Sequence, residues 1–224
     1  RTDSHAEHFV GVARNVLSQY REQTGETGVI CAPYDTELYG HWWLEGITWL
    51  SKVIKRIGND PEIELVTASE YLENNPPRMS ISLPEGSWGE GGFHYMWLNE
   101  ETEWTWSCVY EAELEMRDLV RDCLSSKEAL PILKQAMREL LLLQSSDWQF
   151  SISTKTSKDY GELRLSDHFK NFQRLAQIAR KAACGDVIAE SDWSFFKICE
   201  ERNCLFKDVD PKWYAALENP PLEG

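Results

Sequence analysis

The chain has 224 residues, of which 42% are hydrophobic and 27% are charged, so it is long enough to bury a core and is globular rather than disordered. Asp and Glu number 37 against 23 Lys and Arg, and the formal net charge of −14 disfavours nucleic acid and anionic membranes as partners. No apolar run approaches the roughly 20 residues of a membrane helix.

The chain begins with Arg1, and the polar stretch that follows lacks the apolar centre of a secretory leader. We therefore expect a piece of a longer, cytoplasmic polypeptide. Ten tryptophans suit either a core or a surface that stacks on sugars or other flat ligands. Six cysteines without CxxC spacing indicate buried thiols of a reducing compartment rather than a disulfide framework: Cys31, Cys108, Cys123, Cys184, Cys199 and Cys204.

The first part of the chain alternates predicted helices with short apolar segments. Apolar residues at helical spacing predict helices over 5–23 and 37–57, and a shorter helix covers 69–74. The apolar runs 29–34 and 62–67 are typical of buried strands in a parallel sheet. Because two strands do not make a stable parallel sheet, we expect the remaining strands to lie upstream. Residues 1–77 are thus predicted to be the C-terminal portion of a βα-repeating domain.

The second part, residues 78–224, is predicted to be a helical domain, which makes the fold mainly α with a small α/β portion. Residues 78–98 are rich in glycine and aromatic residues and are predicted to be irregular. Apolar steps of three and four then predict four helices, with a capping box of Ser125 and Glu128 before the second and a cap at Ser191 before the fourth. Gly185 is predicted to end the third helix, and the proline-rich last twenty residues to wrap the surface.

Asp35 is the strongest candidate for catalysis. It follows the predicted strand 29–34, and the carboxyl ends of strands carry the catalytic groups of barrels and open α/β sheets. Aromatic neighbours and His41 can raise the pKa of its carboxyl group and suit it to general acid catalysis. The alternative is that Asp35 only caps the helix predicted to begin near Glu37. Glu37 and Glu45 are interpreted as charges on a helix surface.

The loop from Glu85 to Trp97 resembles a phosphate loop in its glycine content, but it has no lysine and carries two glutamates. We interpret it as a loop that presents Trp88 and Trp97 to a ligand, and the alternative is that both indoles pack in a core. Asp147 either contacts a ligand or forms a cap or salt bridge. No third ligand joins His5 and His8, so we predict neither a metal site nor a cofactor.

Three segments resemble conserved regions of glycoside hydrolase family 57, and within it those of α-1,4-glucan branching enzymes with a helical C-terminal region. Residues 29–46, VICAPYDTELYGHWWLEG, are similar to the fourth conserved region of that family, and residues 140–150, LLLLQSSDWQF, are similar to the fifth. The sequence GSWG at 86–89, followed by His94 and by WLN at 97–99, is similar to the C-terminal region of the branching-type members.

The resemblance implies a (β/α)7 barrel and a retaining mechanism on α-1,4-glucans such as amylose or glycogen. It implies that Asp35 is the general acid/base, that Trp88, Trp97 and Asp147 line the glucan-binding cleft, and that His41 lies near it. Residues 1–77 would be the C-terminal portion of the barrel.

The first three conserved regions of the family, which include the nucleophilic glutamate, have no counterpart in this sequence. The resemblance therefore implies a partner, an upstream barrel half in the same gene product or in a separate chain, and little activity without it. Two alternatives stay open: an α-amylase or 4-α-glucanotransferase of the same family, and a non-catalytic glucan-binding or assembly module.

Overall fold

A computed structural model of the protein describes residues 1–215, which are mostly helical and form two compact units divided between Leu83 and Pro84. Within the described residues there is no β-strand, and the one isolated bridge joins Tyr39 and Trp43. In that part of the chain no helix has both the length and the apolar character needed to cross a membrane. The prediction of a mainly helical protein is confirmed.

The first unit, Arg1–Leu83, is built on the packing of two helices, α1 (Thr2–Thr24) and α2 (Gly46–Ile57), and also contains the short α3 (Ala68–Asn74). Five buried residues form its small core: Ala6, Val10, Trp49, Val53 and Ile57. Trp49, Val53 and Ile57 belong to the apolar repeat that predicted α2. In the repeat that predicted α1, by contrast, Val12, Val16 and Tyr20 are exposed.

The two predicted strands do not form. Residues 29–34 and 62–67 are irregular, and neither segment joins a β-ladder in the described part of the chain. A strand is held by hydrogen bonds to a neighbouring strand, and these two segments do not pair with one another. The apolar runs predicted strands, but the described residues contain no neighbouring strand with which these segments could form hydrogen bonds.

The helix predicted over 37–57 begins nine residues late, at Gly46. A single 3₁₀ turn, Thr36–Leu38, comes first, and Gly40 then adopts a φ of 105° that other residues rarely adopt. The amide of Gly40 donates to the carbonyl oxygen of Trp43 at 3.0 Å, which closes a tight loop. This loop separates Asp35 from α2.

The second unit, from Pro84 onward, is a bundle in which the 27-residue helix α7 contacts α4, α5, α6 and α8. Its core of 23 described buried residues comes mainly from α4, α5 and α7. As predicted, Gly185 ends α7, with a φ of 77°. The helices are α4 (Glu103–Cys123), α5 (Leu130–Leu143), α6 (Asp147–Thr154), α7 (Lys158–Cys184), α8 (Glu190–Arg202) and α9 (Lys212–Ala215).

Several local predictions for this unit were wrong. The predicted capping box of Ser125 and Glu128 does not form: the N-cap residue of α5 is Ala129, which makes no side-chain capping bond, and Ser126 accepts the amide of Ala129 at 3.2 Å. Ser191 lies inside α8, whose N-cap position is Ala189. Helix α6 was not predicted at all. Of the predicted surface tail, 205–224, the structure describes 205–215, which include α9 and the buried side chain of Val209, and the remainder lies outside the described residues.

All six cysteines are free thiols, as expected, but the prediction that they are buried holds for only some of them. Cys123 and Cys199 are buried and Cys108 is half-buried, whereas the remaining three are exposed: Cys31, Cys184 and Cys204.

Candidate functional site

The carboxylate of Asp35 is exposed and without a hydrogen-bond or ion-pair partner in the part of the chain that the structure describes. Asp35 occupies the N-cap position of the 3₁₀ turn Thr36–Leu38, but its side chain makes no capping hydrogen bond. Only its carbonyl oxygen is engaged, by the amide of Leu38 at 3.1 Å. The side chain is therefore not used as a cap and is free for chemistry.

Aromatic residues flank Asp35 along the chain. Tyr34 and Tyr39 meet edge to face with ring centroids 6.2 Å apart, and Trp43 packs at 5.0 Å against Trp49 of the first unit's core. Burial raises the pKa of the Tyr39 hydroxyl. The loop that carries Asp35 is thus anchored through Tyr39 and Trp43, which pack against the core of the first unit.

His41 is exposed and meets the ring of Trp42 edge to face at 5.2 Å. It belongs to the same loop as Asp35. Asp35 and His41 therefore belong to the first unit, whereas Trp88, Trp97 and Asp147 belong to the second.

Trp88 and Trp97 form one aromatic cluster with Phe150. The ring centroids of Trp88 lie 4.9 Å from those of Trp97 and 5.6 Å from those of Phe150. The indole of Trp88 is 75% exposed, so it does not pack in a core and presents a broad apolar face to solvent. Phe150, on α6, was not identified from the sequence because 62 residues separate it from Trp88.

The glycine-rich loop that carries Trp88 is held by its own hydrogen bonds. The hydroxyl of Ser87 donates to the carbonyl oxygen of Phe93 at 2.6 Å and accepts the amide of Gly89 at 3.0 Å. Gly91 and Gly92 adopt positive φ angles of 67° and 77°, which allows the chain to turn back on itself here.

Trp97 is fixed through its backbone. Its carbonyl oxygen accepts the indole N–H of Trp106 at 2.7 Å and the hydroxyl of Thr102 at 2.9 Å. The Nδ2 of Asn99 donates to Ser153 of α6 at 2.8 Å, which connects this loop to the helix that carries Asp147 and Phe150. The loop and α6 therefore hold the aromatic cluster together.

Asp147 is the first residue of α6 and its carboxylate is exposed. The hydroxyl of Ser145 donates to its Oδ2 at 2.8 Å, so Asp147 has a hydrogen-bond partner but no salt bridge in the described chain. The next residue, Trp148, donates its indole N–H to the carbonyl oxygen of Leu142 at 2.8 Å. The start of α6 is thus fixed to the end of α5.

A buried polar network that was not predicted from the sequence packs against Trp148. The Nδ1 atom of His168 lies 2.8 Å from Oε2 of Glu139, and both side chains are almost fully buried. Arg164 Nη2 lies 2.9 Å from His168 Nε2. Because a guanidinium group only donates, Nε2 accepts, and the neutral imidazole donates from Nδ1 to Glu139.

A signal for this network is present in the sequence. His168 falls at helical spacing between Leu165 and Phe172, on the face of α7 that is buried. Glu139 similarly precedes the apolar run at the end of α5. A histidine and a glutamate at core positions of two helices predict a pair, because buried polar groups need partners.

The described residues contain no group of three or more His, Cys, Asp and Glu side chains that could hold a metal ion. The predicted site residues fall into two groups: a carboxylate and an imidazole in the first unit, Asp35 and His41, and two indoles and a carboxylate in the second, Trp88, Trp97 and Asp147. Exposed aromatic faces beside polar groups are suited to a carbohydrate rather than to an anionic ligand, which the net charge of −14 would repel.

Comparison with known proteins points in the same direction. Residues 108–214 match the family model described as 1,4-alpha-glucan branching enzyme, C-terminal. The chain is 41% identical over 228 residues to a 1,4-alpha-glucan branching enzyme of Thermococcus kodakarensis, an alignment covering 99% of this chain and 32% of that protein. It is 31% identical over 187 residues to a probable 1,4-alpha-glucan branching enzyme of Mycobacterium tuberculosis, with 78% of this chain and 34% of that protein covered. The chain therefore spans about a third of the length of these relatives.

Solved structures give the same result. The GH57-type branching enzyme of Pyrococcus horikoshii matches with a TM-score of 0.77 and 38% identity, over 98% of this chain and 41% of that one. The alpha-amylase AmyC of Thermotoga maritima matches with a TM-score of 0.67 and 28% identity, over 97% of this chain and 39% of that one. The chain therefore corresponds to the C-terminal part of GH57-type branching enzymes, to which it is similar over almost its whole length.

Proposed function

We propose that this chain supplies the general acid/base and part of the glucan-binding surface of an enzyme that cleaves α-1,4 linkages and forms α-1,6 linkages. Its substrate would be an amylose-like or glycogen-like chain, and the enzyme would act in glycogen metabolism in the cytoplasm. The observation that carries the proposal is the exposed carboxylate of Asp35, which has no partner among the described residues and lies within the segment that resembles the family's fourth conserved region.

The chemistry requires a second carboxyl group. A retaining glycosidase uses two carboxyl groups about 5 Å apart, one to protonate the leaving oxygen and one to attack the anomeric carbon. Asp35 as the acid protonates the glycosidic oxygen while the nucleophile forms the glycosyl-enzyme bond. Asp35 as the base then takes the proton of the 6-hydroxyl group of an acceptor glucose, which attacks the same carbon and releases the nucleophile.

The nucleophilic glutamate would come from an upstream barrel half. Large apolar side chains on the surface of the first unit support this part of the proposal, since extensive exposed apolar surface marks an interaction site. Trp42 is 73% exposed, Leu44 is 89% exposed and Ile47 is 63% exposed. All three lie within 12 residues of Asp35, so a partner that covered them would approach the general acid.

Trp88, Trp97, Asp147 and His41 would bind the glucan. The exposed indole of Trp88, packed against Trp97 and Phe150, offers a face on which a pyranose ring can stack. The carboxylate of Asp147 can accept sugar hydroxyl groups. Stacking of the acceptor sugar also excludes water, which favours transfer over hydrolysis.

The test uses the chain alone and together with a barrel half that carries the nucleophile. We expect no new α-1,6 linkages on amylose from the chain alone, and branching once the two are combined. In the combined enzyme Asp35→Asn should abolish turnover, whereas Glu37→Gln, a neighbouring exposed carboxylate, should leave it nearly unchanged. Branching by the chain alone would refute the need for an upstream barrel half. Near-normal turnover of Asp35→Asn would remove Asp35 from this mechanism.

Hydrolysis or 4-α-glucanotransfer is the second candidate, because the chain also matches AmyC, described as an alpha-amylase, with a TM-score of 0.67. Linkage analysis of the products separates the three reactions. New α-1,6 branches identify a branching enzyme, longer linear chains identify a glucanotransferase, and reducing ends alone identify a hydrolase.

A further inference from the structure

The second unit carries an open groove of ≈ 560 Å³ next to the aromatic cluster. Trp97 belongs to both: it packs against Trp88 and also forms part of the groove wall. The groove lies wholly within the second unit. Its main lining residues are His94, Trp97, Glu103, Trp106, Ser107 and Tyr110.

The groove has the composition of a carbohydrate site. Three aromatic rings supply apolar faces, and a hydroxyl, an imidazole and a carboxylate stand among them, as a ligand with apolar ring faces and a rim of hydroxyl groups requires. Glu103 and the chain's net charge disfavour an anionic ligand. A neutral polyhydroxyl ligand satisfies both conditions.

The indole of Trp106 is held in place before any ligand binds. Trp106 and Tyr110 lie one turn apart on α4, with centroids 6.0 Å apart and planes inclined at 36°. The indole N–H of Trp106 donates to the carbonyl oxygen of Trp97 at 2.7 Å, which fixes that ring. His94 Nε2 lies 3.3 Å from Glu85 Oε1. Little side-chain freedom at Trp106 would therefore be lost on binding.

We propose that this groove is a second glucan-binding subsite, which holds a stretch of α-1,4-glucan that continues past Trp97 from the Trp88 platform. The inference rests on the proposed function for the choice of ligand. Trp97 would serve both subsites. Tyr110 and Trp106 would stack on glucose rings, while Ser107 and Glu103 would bind their hydroxyl groups.

The test measures the affinity of the purified 224-residue chain for maltoheptaose by calorimetry. Tyr110 is 56% exposed, so Tyr110→Ala should leave the fold intact, and we expect it to weaken binding about threefold to tenfold. Trp104→Ala is the matched control: like Tyr110, Trp104 is an exposed aromatic residue of α4, but it is not among the groove's lining residues. It should bind maltoheptaose like the unaltered chain.

The outcomes separate this inference from the proposed function. If Tyr110→Ala and Ser107→Ala both bind maltoheptaose as tightly as the unaltered chain, the groove is not a glucan subsite, whatever the effect of Trp88→Ala. A lack of all binding by the unaltered chain would also overturn the groove proposal, because the groove is complete within this chain. Neither result touches the role of Asp35, which the branching assay tests separately.

Discussion

The indole of Trp148 stacks on the buried imidazole of His168, with ring centroids 6.1 Å apart and planes inclined at 26°. Trp148 directly follows Asp147, so the buried network around His168 supports the backbone at which a proposed ligand-binding carboxylate is displayed. Arg164 lies over the same indole at 5.9 Å. The start of α6 is therefore stabilised by packing against α7.

Removal of the imidazole should destabilise the second unit. His168→Ala leaves one carboxylate oxygen of buried Glu139 with only the 3.4 Å contact from Asn171, and Trp148 loses its stacking partner. We expect a loss of about 2–3 kcal/mol in the free energy of unfolding, measured with urea. Asp167→Ala, the exposed preceding residue, should change it by less than about 0.5 kcal/mol. Equal effects of the two substitutions would contradict a stabilising role for the network.

Replacement of a helical glycine by alanine usually stabilises a protein, but Gly161→Ala should destabilise this one. A Cβ atom there would lie 3.0 Å from the carbonyl oxygen of Trp148 and 3.2 Å from Ile152, so α6 would have to move away from α7. We expect Gly161→Ala to lower the free energy of unfolding by about 1–2 kcal/mol. At Gly11, where nothing lies within 4 Å, Ala should raise it by about 0.5–1 kcal/mol. Thermal unfolding measures both, and a stabilising Gly161→Ala would refute the close approach of the helices.

Trp88 should matter for the glucan but not for the fold. Because its indole is 75% exposed, Trp88→Ala should leave the melting temperature unchanged. In the combined enzyme we expect the KM for a glucan acceptor to rise up to about tenfold, with kcat less affected. Trp213→Ala, an exposed tryptophan outside the cluster, provides the control. An unchanged KM for Trp88→Ala would show that this indole does not contact the acceptor.

Asp192 should contribute a pH-dependent share of stability. A hydrogen bond from Arg174, followed by one from Lys181, lowers the pKa of Asp192 in the folded state. Its contribution is therefore present above the unfolded pKa and is lost as the pH falls through the lower folded value. Because both cations are about half exposed, we expect Asp192→Asn to cost about 0.5–1 kcal/mol at pH 7 and little at pH 2.

Urea unfolding at the two pH values checks this expectation, with Asp186→Asn as the control. Asp186 is exposed and its carboxylate has no ion pair among the residues the structure describes. A cost that is the same at pH 2 and pH 7 would show that Asp192 acts through something other than its charge.

The cysteines should differ sharply in reactivity. Burial raises the pKa of Cys199 to about 12, which reduces its thiolate fraction about 1000-fold relative to an ordinary thiol. Exposed Cys184 and Cys204 should react with iodoacetamide at pH 8 in the folded protein, and Cys199 only after unfolding. Peptide mass spectrometry resolves the sites. Rapid alkylation of Cys199 under native conditions would contradict its burial.

The long helices could be predicted because their apolar residues repeat at helical spacing, as Trp49, Val53 and Ile57 do on α2. The strands could not, since a strand is defined by its neighbour, and the apolar run 29–34 does not reveal whether that neighbour is present. The eight-residue α6 has too few turns for a clear apolar face.

For the candidate site residues too, their identities could be predicted from the sequence but their packing could not. The identities of Asp35, Trp88, Trp97 and Asp147 followed from the local sequence and its resemblance to a family, and their roles remain predictions. The packing of Phe150 against Trp88, the support of Trp148 by His168 and the groove beside Trp97 depend on distant parts of the chain, which no local pattern brings together.

The two units differ greatly in the size of their interiors, with 23 described buried residues in the main cluster of one and five in that of the other. The helical bundle thus contains a large hydrophobic core of its own, around which it can fold after synthesis. The segment Arg1–Leu83 exposes the indole of Trp42 and many aliphatic side chains, so its stability would depend more on a partner that covered that surface. Without such a cover, this segment is where chaperones would bind and aggregation would start.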